Sequence, residues 1–121
     1  MNGTILAVIA VVILYLALRR LGWSLVSVET VTTLLQQNPR IIDVRTAGEY
    51  EAGHLPGVIN IPIADLAQKI SLHAPDKNHP VLLHCASGAR SAMGKKTLEH
   101  LGYASVHNLG SFTRARTLLS S

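Results

Sequence analysis

Cysteine is almost missing from this chain: Cys85 is the only one in 121 residues. A single cysteine excludes an internal disulfide and a cysteine-built zinc cluster, and it suits a reducing compartment. The six histidines (54, 73, 79, 84, 100 and 107) do not fill that gap, because none forms an H-x3-H pair or an H-E-x-x-H motif. No metal or other cofactor is therefore expected. Charge is also scarce, at 15% of residues, and the formal net charge is +4. Setting aside Arg19 and Arg20 leaves about +2 for the remainder, too weak and scattered for a nucleic-acid footprint. Lys95-Lys96, the other basic pair, reads as a solvated helix face. No internal repeat and no Pro/Gly-rich linker divides the chain, whose length suits one domain.

The scarcity of charge is concentrated at one end. Gly3 to Leu18 carries none, and Arg19-Arg20 and Trp23 follow. An apolar run with no polar face does not read as a core helix. It is at the short end of a bilayer span, which takes roughly 17–25 residues, and arginine snorkelling with an interfacial tryptophan can extend it. No basic residue precedes the run and no small-x-small cleavage site follows it, which argues against a signal peptide. The expectation is an N-terminal transmembrane anchor with a short connection over 1–22 and a single domain over 23–121. By the positive-inside rule the Arg19-Arg20 pair places that domain in the cytoplasm. The alternative is export to the periplasm, should the segment be a signal peptide.

Beyond the anchor, Ile41–Val44, Val58–Ile61 and Val81–His84 are short, nearly continuous apolar runs of the kind found in strands covered on both faces. Ala104–Asn108 is a fourth candidate and Leu25–Val28 a fifth. Helical patterns alternate with them: Glu29–Gln37, stopping at Asn38-Pro39; Ile63–Ile70, apolar at i, i+3, i+4 and i+7; Ala89–Leu101, ending at Gly102; and Ser111–Leu119. This alternation predicts an α/β domain with a mainly parallel sheet of about five strands between two helical layers.

The segment Val81-Leu82-Leu83-His84-Cys85-Ala86-Ser87-Gly88-Ala89-Arg90-Ser91 carries the chemistry. A buried strand ends, small residues make a tight loop, and a helix begins. In open α/β sheets, ligands bind beyond the carboxyl ends of the strands. There the loop N–H groups and the helix N-terminus form a nest for an anion. A sulfur held there is favoured as the thiolate, its nucleophilic form. Ala86, Ser87, Gly88 and Ala89 lack bulk, so the backbone can curl around the sulfur, and Arg90 adds a cation for an oxyanion substrate. A lone cysteine is by default a small buried hydrophobe, but such a residue does not need this loop after it. His84 precedes Cys85, and strand alternation turns the two side chains to opposite faces.

Several segments together resemble the rhodanese family of sulfurtransferases. Upstream are Ile42-Asp43-Val44-Arg45, Glu49-Tyr50 and Gly53-His54-Leu55-Pro56-Gly57-Val58-Ile59-Asn60-Ile61-Pro62. Downstream, Cys85-Ala86-Ser87-Gly88-Ala89-Arg90-Ser91 is similar to the family's Cys-x-x-Gly-x-Arg-Ser loop, and Leu101-Gly102-Tyr103 and Asn108-Leu109-Gly110 also match. The resemblance runs from about Val28 to Gly110.

It implies a three-layer α/β/α domain and a two-step sulfur transfer with Cys85 catalytic. The thiolate takes the outer sulfur of a small anionic donor such as thiosulfate, and a thiol or protein-thiol acceptor, or cyanide, removes it. Ala86, Ser87, Gly88, Ala89 and Arg90 would form the substrate-binding loop. Asp43, Arg45, Glu49 and His54 would brace the site, with Arg45 pairing to an acidic residue such as Glu49. The alternative is a membrane-tethered relay or binding module, loaded by a partner protein and slow with small donors. Cysteine phosphatases use a Cys-x5-Arg loop, whereas Arg90 closes a Cys-x4-Arg loop here, a cradle that suits sulfur better than phosphate. The chain departs from the family after Gly110, where Ser111-Phe112-Thr113 stands in place of a further glycine and a tryptophan. Phe112 is expected to occupy that space.

Overall fold

The computed structural model describes residues 2–20 and 25–120. Its elements, in order, are α1 (Gly3–Arg20), α2 (Val28–Leu35), β1 (Arg40–Asp43), α3 (Ala47–Ala52), β2 (Ile59–Asn60), a 3-10 turn (Ile63–Asp65), α4 (Leu66–His73), β3 (Val81–His84), α5 (Ala89–His100), β4 (Val106–Gly110) and α6 (Phe112–Leu119). The four strands pair in the order β2-β1-β3-β4, all parallel. β1 and β3 are therefore central.

Strand alternation divides the apolar residues between the two faces. Val81, Leu83 and Cys85 join Leu66, Ile70, Leu98 and Tyr103 in one core cluster. Leu82 joins Val31, Leu34, Leu109, Ala115 and Leu118 in the other. The sheet is thus sandwiched, with α4 and α5 on one side and α2 and α6 on the other. α5 comes close to the sheet at Gly94, where an added Cβ would meet Leu66 and Leu83 side chains at 3.1 Å. Contact that tight makes Gly94 a packing requirement of the face behind Cys85.

The helix boundaries have local causes. Ser27 caps α2 by accepting from Thr30 N, and Ser111 caps α6 by accepting from Arg114 N. Because α2 starts so early, the strand expected over Leu25–Val28 is reduced to a single parallel bridge, Leu25 to Asn108, and the sheet has four strands rather than five. α3 lies where no helix was expected. A capping box opens it, with Thr46 Oγ1 accepting from Glu49 N and Glu49 Oε1 accepting from Thr46 N. The expected Ile63–Ile70 helix is a 3-10 turn followed by α4.

α1 is exposed on all sides: its apolar side chains include Val11 at 66% and Ile13 at 61% exposure. Among the described residues, no helix is long and apolar enough to cross a membrane, so the transmembrane helix expected over 1–22 is not found. Length is the physical reason. The uncharged run Gly3–Leu18 rises ~24 Å at 1.5 Å per residue, against a hydrocarbon core of ~30 Å. Trp23 and most of the expected connection, Leu21–Ser24, lie outside the described residues.

Candidate active site

β1 and β3 lie side by side, with Asp43 in register with His84, and both carboxyl ends open toward the same edge. Cys85 follows β3 directly and is fully buried. Its sulfur accepts from Gly88 N at 3.0 Å, Ser91 N at 3.4 Å and Ser91 Oγ at 3.5 Å. The turn that brings these donors together needs Gly88 at φ +103°, a left-handed conformation that side-chain-bearing residues avoid. Gly88 also lies flat against Gly110, where an added Cβ would meet backbone atoms at 3.5 Å. The loop is clamped there: Cys85 N donates to Gly110 O at 3.2 Å, and Phe112 N donates to Ala86 O at 3.1 Å.

Burial by itself pushes the Cys85 thiol up. Hydrogen bonds from the Ser91 hydroxyl and from the backbone N–H groups of Ser91, Gly88 and Ser87 outweigh it, so the thiol lies below its ordinary value. The cradle therefore favours the thiolate chiefly through N–H and O–H dipoles. Ser91, fully buried, was not singled out from the sequence as a contact of the sulfur. Its single hydroxyl proton serves two acceptors, Gly88 O at 3.1 Å and the sulfur. The signal that could have found it is its place in the first turn of the helix, where side chains lean back toward the N-terminus.

The supporting residues are placed differently from the expected scheme. Arg45 pairs not with Glu49 but with Asp43, through Nη2 to Oδ2 at 2.7 Å and Nε to the same oxygen at 2.9 Å, and Nη2 also donates to Gly53 O at 2.8 Å. The physical reason is reach. Asp43 and Arg45 lie two residues apart on the same face of the extended chain, so a fully buried carboxylate takes the nearest cation. Asn60 Nδ2 ties the two backbone carbonyls, Asp43 O and Arg45 O, each at 3.0 Å. Glu49 instead holds Arg90 with both oxygens, at 2.6 and 3.0 Å. Arg90 is thus not a free cation awaiting an oxyanion. His54 stacks on Tyr50, with ring centroids 3.8 Å apart, and its Nδ1 is 2.9 Å from Tyr50 O. Tyr50 in turn donates to Val58 O at 2.7 Å, so this group closes the segment before β2.

His84 faces away from the sulfur, toward α6, and meets Phe112 edge-on at 5.9 Å. Burial, partly offset by Asp43, pushes its pKa down. Its Nε2 has no hydrogen-bond partner and lies 3.8 Å from Asp43 Oδ2. The guanidinium groups of Arg45, at 4.7 Å, and Arg116, at 5.0 Å, both lie over the ring of Phe112, at the departure from the family pattern. Among the described residues, no group of three or more His, Cys, Asp or Glu is placed to hold a metal.

A nucleophile at the end of a central parallel strand, cradled by main-chain donors, defines a class of site that holds an anionic sulfur. Comparison with known proteins gives the family. Residues 27–114 match the rhodanese-like domain. The chain belongs to this family. It is 39% identical over 69 residues to thiosulfate sulfurtransferase PspE of Escherichia coli (strain K12), covering 57% of this chain and 66% of that protein. The match thus spans just under two thirds of that relative's length. It is 31% identical to the chloroplastic thiosulfate sulfurtransferase 16 of Arabidopsis thaliana, covering 71% of this chain and 80% of that one. A solved structure described as rhodanese with anions from E. coli superposes with a TM-score of 0.61 at 36% identity, over 63% of this chain and 89% of that chain.

Proposed function

We propose that the protein moves a sulfane sulfur from a donor such as thiosulfate to a thiol acceptor or cyanide through a persulfide on Cys85. The observation that carries this reading is the sulfur of Cys85, buried and holding three hydrogen bonds from Gly88 and Ser91. The Cys85 thiolate attacks the outer sulfur of thiosulfate. The new S–S bond forms as the donor's S–S bond breaks, and sulfite leaves with the electron pair. A thiolate or cyanide then attacks the outer sulfur of the persulfide and returns Cys85 as thiolate. Charge stays on sulfur at Cys85 in both resting forms, so the donors that hold the thiolate also suit the persulfide. The cradle lowers the thiol pKa and favours the ionised nucleophile, so this reading assigns no general base. Ala86, Ser87, Gly88 and Ala89 line the approach, and Asp43, Arg45 and His54 brace it. Incubation with thiosulfate should add about 32 Da, one sulfur atom, to intact protein and release thiocyanate from cyanide. A folded sample that gains no sulfur from thiosulfate or from a hydropersulfide would sink the reading.

The complete burial of Cys85 favours a second reading, a relay module loaded by a partner protein that opens the loop. Rapid turnover of free thiosulfate would count against it. Sulfur passing from a persulfidated protein to Cys85, with small donors inert, would replace the first reading by this one.

The N-terminal segment over 1–22 is proposed as a membrane attachment. Its support is the uncharged run Gly3–Leu18 with apolar side chains exposed all round. Local thinning of the bilayer can meet a short segment, and the Arg19-Arg20 pair favours a single pass with the catalytic domain on the cytoplasmic side. Activity from an export-dependent reporter fused at the C-terminus would overturn that side in favour of the periplasm.

A further inference from the structure

The Cys85 loop contains a cation whose charge is already cancelled. Arg90, the second residue of α5, gives both of its terminal nitrogens to Glu49. Glu49 is not free to leave, because the same Oε1 accepts from Thr46 N at 3.0 Å and closes the capping box of α3. The neighbouring arginine at the end of β1 is spent in the same way, since Arg45 is paired with Asp43. Ala86, Ser87, Gly88 and Ala89 carry no charge. What faces the sulfur is therefore a set of N–H and O–H dipoles. Dipoles of this kind match one negative charge, the one that thiolate and persulfide share in turn.

A donor such as thiosulfate brings two more. When the Cys85 thiolate meets it, three negative charges converge on a cradle without an uncommitted cation. To use the remaining N–H groups of Arg90, the dianion must approach a guanidinium that already holds a carboxylate at 2.6 and 3.0 Å, and that carboxylate repels it. A hydropersulfide brings one negative charge at most, and none as its protonated form, R–S–SH, so it meets a lower barrier. The thiolate attacks its neutral outer sulfur, the new S–S bond forms as the old one breaks, and the electron pair leaves on RS⁻. The proton stays on the outer sulfur, now part of Cys85–S–SH, and no further reactant is needed.

We propose that Glu49 is a specificity-determining residue: by holding Arg90 it turns the site from dianionic donors toward hydropersulfides of thiols. This rests on the persulfide reading above. The hydrogen bond from Arg90 holds the Glu49 carboxyl at about 2, so its charge is present throughout the neutral range.

Glu49→Gln tests the assignment, because glutamine keeps the capping position and removes only the charge. With the full chain, kcat/KM for thiosulfate divided by that for cysteine hydropersulfide should rise about tenfold at low salt. The gain should lie mainly in the KM for thiosulfate, shrink in high salt, and vanish in Glu49→Gln/Arg90→Gln. An unchanged ratio, or equal losses with both donors, would reduce Glu49 to a brace and overturn the proposal. If Glu49→Gln does not fold, Arg90→Lys, which breaks the two-pronged pair but keeps the cation, should raise the same ratio; a flat ratio there overturns it equally. Wild-type protein that gains no sulfur from either donor defeats the persulfide reading itself. Loading with an unaltered ratio defeats only the role of Glu49.

Discussion

β1 and β3 are adjacent parallel strands ending at the same edge, yet their ends are built from opposite materials. The end of β1 is saturated with side-chain charge: Asp43, fully buried, is matched by Arg45, and Asn60 ties off the carbonyls. The end of β3 has small residues and exposed loop positions, and its donors are main-chain N–H groups aimed at one sulfur. A charged pair that satisfies itself leaves nothing for a ligand, and so it braces. A cradle of dipoles has no internal anion other than the sulfur, and so it is suited to hold a nucleophile. The two ends are coupled through Glu49 and Arg90, which join α3, after β1, to α5, after β3.

Four experiments would break or sharpen this contrast. The largest effect is expected at the reactive end. Cys85→Ser should lower sulfur transfer at least ~10³-fold, since a serine hydroxyl cannot carry a persulfide, while stability changes by less than about 1 kcal/mol. Residual transfer near the wild-type rate would remove Cys85 from the chemistry. At the bracing end the signs reverse. Asp43→Ala leaves Arg45 largely buried without its counter-ion and should cost about 3–5 kcal/mol in urea unfolding. A loss below 1 kcal/mol would show that this end is not a brace.

A smaller effect is expected from Ser91→Ala. Without its hydroxyl the Cys85 thiol should titrate higher, and alkylation by iodoacetamide at neutral pH should slow roughly three- to tenfold. In the wild type, the midpoint of the alkylation profile should lie below 9.0, because the folded thiol is shifted down from that value. A midpoint at or above it would contradict the dipole cradle. The smallest effect belongs to the surface pair. Glu49 sits near 2 when folded against 4.5 unfolded, so the unfolded chain binds more protons between those values. Its stabilisation is whole above pH 4.5 and is lost as the pH falls toward 2. Glu49→Gln should flatten that acid limb of a denaturation series, and identical limbs in both proteins would contradict the pairing with Arg90.

Much of this was open to reading in the chain. The Cys85 loop is contiguous, so the order Cys-Ala-Ser-Gly-Ala-Arg-Ser is enough to imply a curled backbone and a sulfur at a helix start. Strands β1, β3 and β4 follow from local runs of apolar residues whose alternation survives in the two core clusters. The short helix α3 was also written locally, in the Thr46-x-x-Glu49 capping pattern, but its single turn and a half shows too little apolar periodicity to stand out. The Leu25–Val28 segment has strand-like residues, and only the competing cap at Ser27 limits it to one bridge.

The sequence by itself determined the family and the parallel α/β order and singled out Cys85 as the candidate nucleophile, because each depends on residues close together in the chain. Only the tertiary structure decided which charges meet. Arg45 and Arg90 are equal in the sequence as candidates for Glu49, and the choice falls to a side chain 41 residues away once β1 and β3 lie side by side. An ion pair depends on distance in space, and chain order does not contain that distance. The same reason explains the charge available at the sulfur: Arg90 reads as a free cation until folding brings Glu49 against it.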